Sequence, residues 1–153
     1  KQPVEYIIYV EEENARGLFP FYHALSAPLM SKDLVAALEE CGVDNLQTFD
    51  AEILIERTGE VIRDYKAVNI VGLIKAADMN ASKYHTSGLT TAGEPLLSVW
   101  FDKLVLDEKR LDDLPLFRMA ENVSLVLVHK RVKEYLEPRF PRLMFIHPGD
   151  YSG

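Results

Sequence analysis

The sequence is nearly devoid of cysteine, with Cys41 the only one in 153 residues. A single thiol cannot form an intrachain disulfide, and it cannot supply the sulfur ligands of a cysteine-based zinc cluster. Proteins without disulfides are typical of reducing compartments. We therefore expect a cytoplasmic protein.

Long hydrophobic runs are also missing. The longest are strand-sized, such as residues 123–128, whereas a helix that spans a bilayer needs about 20 mostly apolar residues. Residues 1–4 lack the charged and then apolar pattern of a secretory signal. We expect no membrane partner, and a signal removed ahead of residue 1 stays open.

Positive charge is in short supply, with 17 Lys and Arg against 24 Asp and Glu and a formal net charge of −7. Nucleic-acid binding needs a basic surface, so we expect no nucleic-acid partner. An acidic surface accelerates encounter with a basic protein. It also serves solubility, so charge alone does not decide between these two interpretations.

The length of 153 residues and the 48% of hydrophobic residues are enough for a core without disulfides. We predict a single domain over residues 1–153, with a strand and an irregular segment over 1–30 and a main body over 45–146. Strand pairs joined by turns, with separated helices, indicate an α+β fold. We expect a mainly antiparallel sheet with two or three short helices.

Two stretches have helical spacing of apolar residues. Ser31 is a suitable N-cap and Gly42 a suitable stop, which predicts a helix over residues 32–41 with Cys41 on its buried face. A second helix is predicted over residues 129–137, where Pro138 ends it.

Six stretches favour strands. Apolar and polar residues alternate over 49–56, and a glycine-containing turn joins this strand to a second one over 61–71. The later part of the second strand is apolar on both faces, so we expect a more central place in the sheet. Further strands are predicted over 4–10, 98–106, 123–128 and, at a sheet edge, 143–146. Residues 76–95 are predicted to form a long connection that is mobile or functional. The C-terminal tail is predicted to be loose.

No catalytic constellation is apparent. The four histidines lack the i, i+4 spacing that places two imidazoles on one helix face for a metal. Neither a phosphate-binding glycine motif nor a G-x-S-x-G motif occurs. We therefore predict no enzyme, no metal and no cofactor.

Several charged residues are candidate contacts. The acidic group Asp107, Glu108, Asp112 and Asp113 is either a solvated rim or a protein-binding rim. Arg118, inside an apolar run, is expected to pair with a carboxylate, with an anion site as the alternative.

The cluster Asp64-Tyr65-Lys66 resembles a catalytic group at first sight. On a strand, however, Asp64 and Lys66 share one face while Tyr65 points to the other. An exposed ion pair is therefore the expected role of the two charged residues.

Two stretches resemble a known family. One covers residues 65–74 and continues to Asp78 and Ser82, and the other covers 114–119, 123–128 and 130–136. Together they are similar to a bacterial polymorphic-toxin immunity family, "immunity protein eleven", over about residues 45–146. The family carries a glycine before its closing strand, where this chain has Arg139-Phe140-Pro141-Arg142.

The resemblance implies a cytoplasmic protein that neutralises a cognate protein toxin by binding it, with no catalytic residues to transfer. Asp78, Ser82 and Arg118 match family positions, either as binding residues or as fold determinants. Two alternatives stay open: a self-associating regulatory or assembly subunit, and an enzyme that uses the 76–95 segment with Asp78, His85 and Arg118. The enzyme requires those three side chains to meet in one pocket.

Overall fold

The computed structural model describes residues 5–9, 19–22, 28–55, 58–89, 95–111 and 114–152. The fold is α+β with mainly antiparallel sheets, as predicted. In chain order the elements are β1 Glu5–Tyr9, β2 Phe21–Tyr22, β3 Leu29–Ser31, α1 Lys32–Glu40, β4 Leu46–Ile55, β5 Glu60–Ile70, β6 Leu73–Ile74, β7 Lys83–Leu89, β8 Pro95–Lys103, β9 Leu116–Met119, β10 Val126–His129, α2 Lys130–Leu136, β11 Met144–Ile146 and a 3₁₀ turn Pro148–Asp150.

These elements group into two compact units that interleave along the chain. The first unit contains the described residues of 1–8, 72–130 and 145–153, and the second contains those of 9–71 and 131–144. The single domain expected over residues 1–153 stays a prediction. No helix within the described ranges is both long and apolar enough to cross a membrane.

The first unit is built on a five-stranded sheet of order β11-β1-β10-β9-β6. β10 pairs antiparallel with β1 and β9, while β6 pairs parallel with β9. The edge position predicted for the last strand is confirmed by β11. The core of this unit is apolar and fully or nearly fully buried, and it consists of Ala76, Ala77, Val99, Phe101, Leu104, Phe117, Met119, Leu125 and Leu127.

The prediction of a long connection over residues 76–95 is wrong, because residues 83–89 form β7. This strand pairs antiparallel with β8 in a separate ribbon, with Tyr84 opposite Phe101 and Thr86 opposite Val99. β7 itself is polar, and its place depends on β8, whose Val99 and Phe101 are buried. A strand whose apolar partners come from elsewhere shows little pattern of its own. Residues 90–94 lie outside the described part.

The C-terminal tail was also predicted wrongly. A 3₁₀ turn forms over Pro148–Asp150, where the His147 Nδ1 accepts a hydrogen bond from the Gly149 N–H at 3.1 Å. Tyr151 packs against the core of the first unit. The tail up to residue 152 is thus ordered by local capping and by one aromatic contact.

The second unit contains a four-stranded sheet of order β2-β3-β5-β4. Strand β2 and most of β3 lie within the irregular segment that was predicted between the first strand and residue 30, and this prediction is wrong for them. Both strands are very short and occur beside proline residues, so neither carries a detectable alternation. β5 lies between β3 and β4, which confirms its predicted central place.

Helix α1 begins and ends where its caps predict. The Ser31 Oγ accepts a hydrogen bond from the Leu34 N–H at 3.1 Å, and Gly42 adopts a left-handed φ of 99° after the last turn. Cys41 is half-buried rather than fully buried, and its Sγ donates to the Leu38 carbonyl at 3.3 Å. Burial raises the pKa of the Cys41 thiol, which disfavours the nucleophilic thiolate.

Candidate protein-binding surface

Asp78 uses its polar groups to hold a turn together. Its carboxylate Oδ1 accepts hydrogen bonds from the Asn80 N–H at 3.0 Å and the Ala81 N–H at 3.1 Å. Its carbonyl accepts from the Ser82 N–H at 2.9 Å. A carboxylate that satisfies its own backbone in this way stabilises a turn.

Ser82 fixes the same turn to the segment that follows β8. Its buried Oγ accepts from the Val105 N–H at 2.9 Å and donates to the Val105 carbonyl at 3.2 Å. The Val105 carbonyl also accepts from the Asp78 N–H at 2.8 Å. Asp78 and Ser82 therefore meet at Val105, and of the two roles predicted for them this geometry supports the one in the fold.

The predicted acidic rim is only partly described, since Asp112 and Asp113 lie outside the described residues. Asp107 accepts from the Lys109 N–H at 3.1 Å and pairs with the Arg110 Nε at 3.1 Å. It thus stabilises its own turn, and Glu108 is the exposed carboxylate of that turn.

Arg118 lies on β9 between two strands, opposite Val126 on β10 and Leu73 on β6. It is half-buried. The hydrogen bonds that join Asp78, Ser82 and Val105 do not include it. Whether Arg118 binds an anion stays a prediction.

His85 is exposed on β7, where it faces Trp100 across the ribbon. Its Nδ1 lies 3.8 Å from the Asp102 Oδ2, and both side chains are mostly solvent-accessible. With the Asp78 carboxylate engaged by its own turn, no described contact gathers Asp78, His85 and Arg118 into one pocket. Among the described residues, no group of three or more His, Cys, Asp or Glu side chains is placed to hold a metal ion.

The cluster Asp64-Tyr65-Lys66 divides between two faces as predicted, with Tyr65 buried and Asp64 exposed. The ion pair is not between the two neighbours, because the Lys66 Nζ lies 3.5 Å from Asp50 on β4. The Tyr65 hydroxyl donates to the Phe19 carbonyl at 2.5 Å. Burial raises the pKa of Tyr65 to about 12, so this hydroxyl remains protonated and serves packing.

The surface that sequence reasoning missed is on the β4–β5 hairpin. Phe49 and Leu54 are each 61% exposed, and Val61, which pairs with Leu54, is 37% exposed. The alternation in β4 predicted a half-buried strand with one mostly solvated face, and it put Phe49 on the other, apolar face. The structure instead places β4 at the edge of its sheet, where one apolar residue of that face projects into solvent.

Two exposed carboxylates lie on β4 between Phe49 and Leu54. The Asp50 side chain is 91% exposed and that of Glu52 is 61% exposed. Residues 44–55 and 58–71 carry five carboxylates against two cations, Arg63 and Lys66, which leaves a net charge of −3. Each cation already contacts a β4 carboxylate, Arg63 with Glu52 at 3.0 Å and Lys66 with Asp50 at 3.5 Å.

We call the group Phe49, Asp50, Glu52, Leu54 and Val61 the β4 surface. Leu54 and its partner Val61 lie on the same face of the hairpin as Asp50 and Glu52, whereas Phe49 projects from the opposite face. The group therefore offers both apolar and acidic side chains along one edge strand.

Comparison of the chain with models of known protein families gives no match, and comparison with curated proteins gives none either. The resemblance to the immunity family therefore stays a prediction carried by residues 65–82 and 114–136.

Proposed function

We propose that the chain is an immunity-type binding protein, which neutralises a cognate bacterial toxin in the cytoplasm by direct contact, without catalysis or a cofactor. The observation that carries the proposal is the exposure of Phe49 and Leu54 on an edge strand. Leaving a large apolar side chain in water forgoes about 1.5–3 kcal/mol of burial. An edge strand that exposes such side chains is a template for pairing with another chain.

The remaining candidate residues support binding over catalysis only indirectly. The Asp78 and Asp107 side chains hydrogen-bond to backbone groups of their own turns, and the Ser82 side chain bonds to the backbone of Val105. A side chain engaged in this way is poorly placed to move a proton to or from a substrate. The β4 surface offers instead what association needs, which is apolar area and complementary charge.

The test is co-expression with the product of the adjacent gene, which we expect to be a toxin domain. Cells that express both proteins should survive, and the two proteins should purify together. Cells that express the Phe49→Ala variant with the toxin domain should not survive. The matched control is Val123→Ala, which also shortens an exposed apolar side chain (51% exposed) but lies in the first unit.

Killing of cells that contain the intact chain at the same rate as cells that lack it would overturn the proposal. If cells with the Phe49→Ala variant survive and cells with the Val123→Ala variant do not, the β4 surface is not the basis of the proposed function.

A further inference from the structure

β4 has an open side along its backbone. It is the last strand in the order β2-β3-β5-β4, so one side pairs with β5 and the described residues place no strand on the other. Over residues 46–51 the pairing with β5 is regular, and a register shift follows between Ala51 and Ile53. Six regular residues span about 20 Å, enough for an extended segment of similar length.

The hydrogen-bond pattern shows which backbone groups face that side. The Val71 N–H donates to the Asn45 carbonyl at 2.8 Å, which makes Asn45 and Val71 a hydrogen-bonded pair. The Val68 N–H donates to the Pro28 carbonyl at 2.9 Å and thus points away from β4. Hydrogen-bonded and non-hydrogen-bonded pairs alternate in an antiparallel ladder, and both observations fit one phase of that alternation.

In that phase, Leu46, Thr48 and Asp50 occupy the non-hydrogen-bonded positions opposite β5. Their N–H and C=O groups therefore point to the open side. No described residue forms a hydrogen bond with these groups from that side. They are the donors and acceptors that an added strand would use.

The two faces of β4 differ in chemistry. Phe49, Ala51 and Ile53 share one face, while Asp50 and Glu52 share the other. The side chains of an added strand would lie beside both faces, with Cβ atoms about 4.5–5.5 Å apart in directly opposite pairs. Apolar residues fit beside the first face and basic residues beside the second.

Natural edge strands are commonly protected by lysine or proline. β4 contains neither, and its charged residues are the carboxylates Asp50 and Glu52. β7, another edge strand, begins at Lys83 and has register shifts near both ends. Of the two, β4 is the strand whose edge is open to an added segment of basic character.

We propose that β4 binds an extended segment of the partner protein by strand addition, and that basic and apolar residues alternate in that segment. This proposal rests on the proposed function, because it states the mode and the chemistry of the same contact. Main-chain hydrogen bonds to Leu46, Thr48 and Asp50 supply affinity, and the side chains on the two faces supply selectivity.

A second copy of the chain is the competing occupant. Pairing two copies through β4 would bring Asp50 and Glu52 of each close to their counterparts, and like charges across adjacent strands are destabilising. The net charge of −7 on each chain opposes self-association further. A basic segment meets neither obstacle.

The experiment measures amide hydrogen exchange in the whole chain with and without a capped octapeptide of alternating lysine and valine. We expect exchange at Leu46, Thr48 and Asp50 to slow by about tenfold or more at saturation, because hydrogen-bonded amides exchange only through opening. An octapeptide of alternating glutamate and valine should give no protection. Equal protection by both peptides, or none on β4 with either, would overturn the proposal.

Two variants probe the edge in different ways. Thr48→Pro removes one outward N–H while leaving the hydrogen bonds to β5. Asp50→Lys with Glu52→Lys reverses the charge, and it keeps the test informative should the proline variant fail to fold. Both should weaken peptide binding by about tenfold or more. Asp150→Lys, with the same charge change per site on the exposed 3₁₀ turn of the first unit, should bind within about twofold of the parent chain.

The outcomes separate this proposal from the proposed function. If the intact chain neutralises its toxin and both β4 variants do so equally well, strand addition is wrong and the proposed function stands. If the basic peptide protects β4 but no toxin is neutralised, the proposed function fails and the strand-addition site remains. A dimer in sedimentation that Thr48→Pro abolishes would identify a second copy as the occupant and overturn the proposal.

Discussion

The 78–82 turn and the β4 edge use their polar groups in opposite ways. In the turn, the Asp78 carboxylate and the Ser82 hydroxyl are satisfied by backbone groups of the same unit. On β4, the outward N–H and C=O groups of Leu46, Thr48 and Asp50 have no such partner among the described residues. The first arrangement stabilises a fold, and the second leaves capacity for another molecule.

This difference teaches that a recognisable motif and a binding surface need not coincide. The residues that stand out in the sequence are those with fixed spacing, and fixed spacing often reflects a turn. β4 stands out only when its position at the end of a sheet is known.

The largest expected effect concerns the β4 surface. Phe49→Ala should weaken the complex with the proposed toxin partner by about a hundredfold, because aromatic side chains near the centre of an interface contribute about 2–3 kcal/mol. The stability of the free chain should change little, since Phe49 is exposed. Isothermal titration calorimetry measures the first effect and denaturant unfolding the second. An unchanged affinity would remove Phe49 from the interface.

The converse effect is expected at Ser82. Ser82→Ala removes both hydrogen bonds to Val105 and leaves the half-buried Val105 N–H without its partner, while the Val105 carbonyl still accepts from the Asp78 N–H. This loss should lower the free energy of unfolding by about 2 kcal/mol. Affinity for the partner should stay the same. Chemical denaturation and calorimetry on one preparation compare the two quantities, and a loss of affinity without a loss of stability would contradict the role assigned to Ser82.

A smaller effect is expected at Asp78. Asp78→Ala removes the carboxylate that accepts from Asn80 and Ala81 in an exposed turn, at a cost of about 1 kcal/mol. Asp78→Asn should recover part of this loss, because an amide oxygen accepts the same hydrogen bonds. Thermal unfolding of the parent chain and the two variants measures the order of their stabilities. Equal melting temperatures would show that the carboxylate does not stabilise the turn.

The last effect appears only at alkaline pH. The pKa of Tyr65 is raised from 10.0 to about 12 by burial, so between these values the folded chain retains a proton that the unfolded chain has lost. The contribution of Tyr65 to stability is complete below about pH 10 and decreases as the pH rises toward about 12. Tyr65→Phe should flatten this part of the stability profile measured by denaturant unfolding. A profile with the same slope in both proteins would contradict the assignment.

The parts of the fold that local chemistry determines were predictable from the sequence. Helix α1 follows from the cap at Ser31 and the left-handed Gly42. The β4–β5 hairpin follows from the alternation in β4 and the turn at Gly59, which has a φ of 72°. In each case the signal lies within a few residues of the structure that it predicts.

The parts that depend on distant pairing were not predictable. β7 is a strand because β8 supplies the apolar side chains beside it. β5 is central because β3 pairs with the side of β5 that faces away from β4, where Leu29 lies opposite Ala67. β4 is an edge because it comes last in the strand order. The alternation of apolar and polar residues shows which face of a strand is buried, but it does not show whether the strand lies at the edge of its sheet. The candidate site was also only partly predictable. Asp78 and Ser82 were found because they match a motif, whereas the alternation put Phe49 on the apolar face of a half-buried strand.

The central claim is that the partner binds at β4 and not at the turns. Amide hydrogen exchange of the whole chain, with and without the proposed toxin partner, tests this most directly. The account predicts slower exchange at Leu46, Thr48 and Asp50 with little change over residues 78–82 and 107–110. Protection of those two turns with β4 unchanged would contradict it.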